Sequence, residues 1–171
     1  MSKITPNVLV CSAMTHQSLW EIKILFHSVR KRYGNNIAII WLANDNMTTQ
    51  SAPAFQACTE VAQEYQVEFH AYEDTRERRN YLSSIRPWML AKYFNEHPEK
   101  QQGHYFYCDS DVWVNKIPQV DEDDKRMYGT DVSSYARLGI YCHENYQAIR
   151  DIAGKRLADQ LANKIPGVQW I

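Results

Sequence analysis

Two aspartates stand one residue apart in an otherwise aromatic and aliphatic segment, Y-F-Y-C-D-S-D-V-W-V at residues 105–114. Asp is depleted in β-strands, and a buried carboxylate is costly unless a cation or hydrogen-bond donors meet it. Proteins typically hold Mg2+ with one or two carboxylates together with substrate phosphates. The spacing of Asp109 and Asp111 therefore suits a metal ion that bridges to a diphosphate. The alternative is that one aspartate caps a turn while the other pairs with an arginine.

The elements that must position these aspartates alternate between strand-like and helical patterns. Short apolar runs lie at residues 7–14, 36–44, 67–73 and 104–114. Between them, apolar residues recur at helical spacing at residues 19–33, 53–65 and 86–97. Gly34 supplies a stop for the first helix, and Ser83 or Ser84 can cap the third.

This order of elements predicts an α/β fold, a mostly parallel, Rossmann-like sheet covered by helices on both faces. Ligands bind to such sheets outside the carboxyl ends of the strands. Asp109 and Asp111 stand where the fourth strand ends, and the loop at residues 12–17 follows the first strand. We therefore expect the two aspartates and this loop at one ligand-binding edge.

The second half of the chain is less regular. Residues 127–135 suggest a short strand or turn, residues 144–164 an amphipathic helix, and residues 167–171 the start of a strand. Because the chain ends on this apolar stretch, we expect a single domain over residues 1–171 that is truncated or shortened at its C-terminus.

Composition excludes several classes of function. With 44% hydrophobic residues, 23% charged residues and a net charge of -1, the chain has no basic field for nucleic acid or an anionic membrane. Its longest apolar run, residues 37–43, is far shorter than the roughly 20 residues of a membrane-spanning helix. The four cysteines lie far apart without a C-x-x-C pair, which is typical of reduced thiols in a cytoplasmic protein.

With these features the chain resembles the nucleotide-sugar-dependent glycosyltransferases of the GT-A fold. In that family a hydrophobic strand delivers an Asp-x-Asp motif, as Y-F-Y-C-D-S-D-V-W-V does here, and R-P-W-M-L-A-K-Y-F at residues 86–94 resembles the helix before that motif. The resemblance covers most of residues 7–114. It implies a metal-dependent transferase with Mn2+ or Mg2+ as cofactor, a nucleotide-sugar donor, with a UDP-sugar as first choice, and an unknown acceptor.

The resemblance also implies roles for single residues. Asp111 would be the direct ligand of the metal ion, and Asp109 would share the ion or bind the ribose hydroxyls of the donor. Arg86 would approach the donor sugar. Thr15 and His16 would lie against the nucleotide base and ribose; the alternative for His16 is an exposed loop histidine.

Further candidates come from the chemistry of the reaction. Arg79 belongs to a basic cluster after the third strand, where positive charge would stabilise the departing nucleoside diphosphate. The alternative for this cluster is a solvated, self-paired loop. An inverting transfer needs a carboxylate base, for which Asp131 and Glu144 are candidates with surface or capping roles as the alternative. His143 is the nearest substitute for the further metal ligand that this family often places near its C-terminal end.

Two other functions stay open at the level of sequence. The chain would be a non-catalytic remnant that binds nucleotide or a partner if its C-terminal half is too short for turnover. A phosphatase of the haloacid-dehalogenase type also uses Asp-x-Asp on a parallel sheet. In that class the motif sits on an early strand and usually ends in Thr or Val, whereas here Trp113 holds that position and three strand–helix units come first.

Overall fold

The computed structural model describes residues 2–45, 52–77, 84–126, 129–131 and 166–170. The chain forms two units, Met1–Asp124 and Lys125–Ile171. The strands of the first unit are β1 (Lys3–Ile4), β2 (Asn7–Ala13), β3 (Ile39–Asp45), β4 (Glu68–Glu73), β5 (Tyr105–Cys108) and β6 (Val120–Asp121). Its helices are α1 (His16–Tyr33), α2 (Ala52–Glu64) and α3 (Ile85–Glu96), with a short 3-10 helix at Pro98–Lys100.

Four of these strands form a parallel sheet in the order β4–β3–β2–β5. The predicted α/β fold with a mostly parallel sheet is confirmed. The short strands β1 and β6 pair with each other in antiparallel fashion. None of the described helices is both long enough and apolar enough to cross a membrane.

Helices cover the sheet on both faces because the strand residues alternate between two hydrophobic clusters. Val8 and Val10 of β2 belong to the cluster that contains the inner faces of α1 and α2. Leu9 and Cys11 belong to the opposite cluster, which contains the inner face of α3. The same alternation along β3 leaves Ile39–Ala43 almost fully buried, which explains the continuous apolar run in the sequence.

Local signals set the ends of α1. Thr15 is its N-cap, and the Thr15 hydroxyl accepts a hydrogen bond of 3.1 Å from the backbone N–H of Ser18. Gly34 ends the helix with φ 56° and ψ -137°, a conformation that is open to glycine and strained for other residues. The predicted stop at Gly34 is confirmed. The loop between β2 and α1 is only Met14–Thr15, shorter than the predicted loop at 12–17.

The strand at the aspartate motif is also shorter than the sequence predicts. β5 ends at Cys108 and residues 110 and 111 form a turn, so the strand covers only part of the apolar run at residues 104–114, and a strand over that whole run is wrong. Beyond the turn the chain follows α1 instead. The backbone N–H of Val114 donates to the Ser28 hydroxyl at 3.0 Å, and that of Ile117 donates to the Tyr33 hydroxyl at 2.7 Å. Side chains of the helix thus satisfy the backbone donors that a further strand would have paired.

In the second unit, β7 (Gly129–Asp131) pairs with β8 (Pro166–Trp170) in antiparallel fashion. Of the short strand or turn predicted within 127–135, the structure has the strand, and the predicted strand start at 167–171 is confirmed. The predicted helix at 144–164 lies outside the described residues. The single shortened domain over residues 1–171 stays a prediction.

Substitution of Phe26 tests which face of α1 is buried in the hydrophobic cluster between the sheet and helices α1 and α2. The Phe26 ring is fully buried, with its centroid 5.6 Å from that of Trp41 and 5.7 Å from that of Tyr65. We expect Phe26→Ala to lower the free energy of unfolding by about 3–5 kcal/mol, because the substitution leaves a cavity between α1 and the sheet. Ile24→Ala is the matched control on the same helix, since Ile24 is 42% exposed. Urea titration measures both, and equal losses for the two variants would contradict the assignment of the buried face of α1.

Candidate functional site

The sheet contains one point at which its strand order reverses. From β2 the chain moves outward through β3 to β4, and then α3 crosses the opposite face and returns the chain to β5 on the other side of β2. Parallel α/β sheets bind ligands at such a switch point, in the crevice outside the carboxyl ends of the two strands. By this rule the crevice is expected between the ends of β2 and β5, next to Thr15 and Asp109.

Asp109 follows directly after β5, and its carboxylate faces the start of α3. Arg86, the second residue of α3, places its Nη1 atom 3.1 Å from the Oδ1 atom of Asp109. That Oδ1 atom is buried, and no described residue donates a hydrogen bond to it. The contact is therefore an ion pair without hydrogen-bond geometry. Both side chains keep part of their surface in solvent, 38% for Arg86 and 27% for Asp109.

Asp111 has a different environment from Asp109. It is exposed in the turn after β5, and none of the described residues forms a hydrogen bond or ion pair with it. The intervening Ser110 donates a hydrogen bond of 3.3 Å to the Glu21 carboxylate of α1, which fastens the turn to that helix. The motif thus presents one partly covered carboxylate and one that is open to solvent.

Two neutral polar groups lie behind Asp109. Tyr107 is on the same side of the strand as Asp109, and its hydroxyl is buried with no hydrogen-bond partner of good geometry among the described residues. Burial raises the pKa of the Cys11 thiol to about 12, although Arg86 and the Tyr107 hydroxyl act in the opposite direction. Burial also raises the pKa of Tyr107. Both groups are therefore protonated at neutral pH, and Cys11 is not a nucleophile there.

Tyr107 and Cys11 are the site residues that the sequence analysis missed. The signal for Tyr107 was its position two residues before Asp109, because alternate residues of a strand share a face. Cys11 could not be found in the same way, since its place beside β5 depends on the strand register that pairs Val10 with Cys108.

Thr15 and His16 lie at the same edge of the sheet but are arranged as the start of a helix. The Thr15 hydroxyl caps α1 and lies 2.7 Å from the Ser18 hydroxyl. His16 is exposed as the first residue of α1. A contact of either residue with a nucleotide stays a prediction.

The basic cluster after β4 is only partly described. Arg76 forms a nearly buried ion pair with Asp74, at 2.8 Å from Nη2 to Oδ2, and donates to the Ser84 hydroxyl. The hydrogen bond with Asp74 raises the pKa of Arg76. Ser84 stands at the predicted N-cap of α3, but its side chain makes no capping hydrogen bond. Arg76 therefore links the end of β4 to the start of α3, whereas Arg79 lies outside the described residues.

Asp131 is the last residue of β7 in the second unit, and only its backbone is described. His143 and Glu144 lie outside the described residues. Their predicted roles as base or metal ligand stay predictions.

The carboxylates of Asp109 and Asp111 fit only one kind of metal site. Within the described ranges, no three residues of His, Cys, Asp or Glu come together as a metal cluster. A closed structural site for zinc needs four protein ligands and does not fit. Asp109 and Asp111 fit an ion of the Mg2+ or Mn2+ type, which takes its remaining ligands from water and a bound diphosphate. The buried, donor-free oxygen of Asp109 is the feature that a cation would complete.

Comparison with known proteins shows a likeness to a solved structure. No family model matches the chain, and no curated protein matches it. Among solved structures, the chain is similar to core-mannan synthase A (CmsA/Ktr4) from Aspergillus fumigatus in its Mn/GDP form, with a TM-score of 0.46 and 10% sequence identity. The likeness covers 92% of this chain and 55% of that one, so the chain spans a little over half of that protein's length.

Thr15 allows the role of a helix cap to be tested alone. We expect Thr15→Ala to lower the free energy of unfolding by about 1 kcal/mol, because the backbone N–H of Ser18 loses its acceptor. Thr15→Ser keeps an oxygen at that position and should cost far less. Urea titration compares the two variants, and equal destabilisation by both would show that capping is not the contribution of Thr15.

Proposed function

We propose that this chain is a metal-dependent glycosyltransferase domain, which moves a sugar from a nucleotide diphosphate donor to an acceptor. The observation that carries the proposal is the placement of Asp109 and Asp111 directly after β5, at the switch point of the sheet. One carboxylate has a buried oxygen without a hydrogen-bond donor, and the other is exposed and unpaired among the described residues. Carboxylates in this position are suited to a cation that arrives with a diphosphate.

Asp111 would be the main ligand of Mn2+ or Mg2+, and Asp109 would share the ion or bind the ribose of the donor. When bound, the ion would neutralise charge that develops on the departing diphosphate. Two further features of the chain favour an anion at this edge. Arg86 brings a guanidinium to the start of α3, and α1 begins in the same crevice with the positive end of its dipole.

The proposed function also gives roles to residues outside the aspartate motif. Thr15 and His16 would lie against the nucleotide, with a UDP-sugar as the first choice of donor. Arg79 would stabilise the departing diphosphate, and Asp131 would be the base of an inverting transfer.

Substitution of Asp111 is the direct test of the metal site. We expect the wild-type chain to bind UDP or GDP in calorimetry only when Mn2+ is present. Asp111→Asn should weaken this binding at least about tenfold, which corresponds to about 1.4 kcal/mol, because a neutral amide is a poor ligand for a hard cation.

Asp123→Asn is the matched control, since Asp123 is also an exposed aspartate but lies in the turn after β6. The control should bind as the wild type does. Unchanged affinity and unchanged metal dependence in Asp111→Asn would rule out this site.

A binding module without turnover is the second candidate, because Asp109 and Asp111 can hold a metal ion and a diphosphate without any group that activates an acceptor. Donor hydrolysis separates the two functions. We expect the wild-type chain with Mn2+ to release UDP slowly from a UDP-sugar and Asp111→Asn to release none. Metal-dependent UDP binding without any hydrolysis would favour the binding module. Phosphate release from an aryl phosphate would instead favour the phosphatase class.

A further inference from the structure

Asp109 and Arg86 form a pair in which each is the other's single described partner. The buried Oδ1 atom of Asp109 receives no hydrogen bond from the described residues, and the atom that meets it is Nη1 of Arg86 at 3.1 Å. A carboxylate without donors is costly unless a cation offsets its charge. In this structure Arg86 is that cation.

The Asp109–Arg86 pair is held by fewer interactions than the Asp74–Arg76 pair. Arg76 is anchored by several hydrogen bonds, from its Nε to Asp74 Oδ1, from its Nη2 to Asp74 Oδ2 and from its Nη1 to the Ser84 hydroxyl, and only 8% of its side chain is exposed. Arg86 forms one ion pair and no hydrogen bond through its side chain among the described residues, and 38% of that side chain is exposed. Movement of the Arg86 side chain therefore breaks one interaction and leaves the helix backbone in place.

The backbone beneath Arg86 is fixed. Ile85 is buried in the cluster that packs α3 on the sheet, so the first turn of α3 keeps its place while the guanidinium can turn. A guanidinium that leaves Asp109 stays at the carboxyl edge of the sheet. Its planar fork of N–H donors matches phosphate oxygens as well as it matches a carboxylate.

We propose that Arg86 is a resident counter-ion of Asp109, which occupies the cation position of this carboxylate in the unliganded chain and transfers to the diphosphate when metal ion and nucleotide bind. This inference rests on the proposed function. It makes the binding of metal ion and nucleotide mutually dependent, because the nucleotide offers Arg86 a new partner and so frees Asp109 for the metal ion. A divalent cation alone must compete with Arg86 and binds weakly.

The test measures Mn2+ affinity by electron paramagnetic resonance of free Mn2+, without nucleotide and with UDP or GDP. Without nucleotide, we expect Arg86→Gln to bind Mn2+ about fivefold more tightly than the wild type, the scale of a partly exposed ion pair. With nucleotide, Arg86→Gln should no longer bind Mn2+ more tightly than the wild type, because the variant has lost its contact with the diphosphate. Arg86→Lys keeps the competing charge and should stay close to the wild type without nucleotide.

Arg32→Gln is the matched control, because Arg32 is an exposed arginine of α1 whose Nη2 contacts Asn115 rather than a carboxylate. It should leave Mn2+ affinity unchanged under both conditions. Thermal unfolding of every variant checks that the fold is intact. In the wild-type chain, side-chain nitrogen NMR signals of arginine, assigned with Arg86→Lys, should show Arg86 shifting when Mg2+ and nucleotide are added together.

The outcomes separate the two proposals. Unchanged or weaker Mn2+ binding by Arg86→Gln without nucleotide would overturn the counter-ion role, while nucleotide-dependent Mn2+ binding by the wild type would still support the transferase. An Arg86 signal that does not move on addition of Mg2+ and nucleotide would also overturn the counter-ion role. Failure of the wild-type chain to bind Mn2+ even with either nucleotide would overturn both proposals.

Discussion

Burial of β2 on both faces is the constraint from which the rest of the first unit follows. Val8 and Val10 need cover on one side and Leu9 and Cys11 on the other. Successive right-handed crossovers in one direction place their helices on one face, as α1 and α2 are placed here. The second face is covered because α3 crosses it and returns the chain to the other side of β2. The crevice between β2 and β5 is thus a consequence of covering the core.

Two aspartate–arginine pairs lie at this edge of the sheet, and they differ in what they can do. The Asp74–Arg76 pair is nearly buried and joins the end of β4 to the start of α3 through the Ser84 hydroxyl. The Asp109–Arg86 pair lies at the end of β5, is joined by one ion pair without a hydrogen bond and remains partly in solvent. An aspartate–arginine ion pair is therefore a structural link after β4, whereas after β5 it supplies the exchangeable cation of our proposal. Asp111, exposed in the following turn, adds the second carboxylate of the proposed metal site.

The sequence predicted the sheet and its helices because their patterns are local. Alternation and continuous apolar runs identified the four parallel strands, and the helical spacing before Gly34 identified α1. The position of Asp109 at the strand edge followed from the abrupt end of an apolar run. What escaped prediction depends on residues far apart in the chain. Val114 leaves the strand direction because the Ser28 hydroxyl, 86 residues earlier, accepts its N–H.

The same reason applies within the candidate site. Ser83 or Ser84 was the predicted cap of α3, but Arg76 binds the Ser84 hydroxyl, and this could not be read from a local capping signal. An arginine partner for one aspartate was one of the two alternatives drawn from the sequence, and Arg86 is that partner of Asp109. The structure also shows that this pair leaves an oxygen without donors, a property that depends on the packing of α3 against β5. Local pattern thus indicated where the two aspartates lie in the fold, and tertiary packing determined how Asp109 is paired.

Anomalous diffraction at the manganese absorption edge, from crystals soaked with Mn2+ and UDP or GDP, tests the central claim most directly. The account predicts one manganese peak at Asp111, with the diphosphate bound to it in the crevice between β2 and β5 and with Arg86 turned from Asp109 towards a phosphate. Nucleotide bound elsewhere on the chain, with no manganese at Asp111, would contradict it.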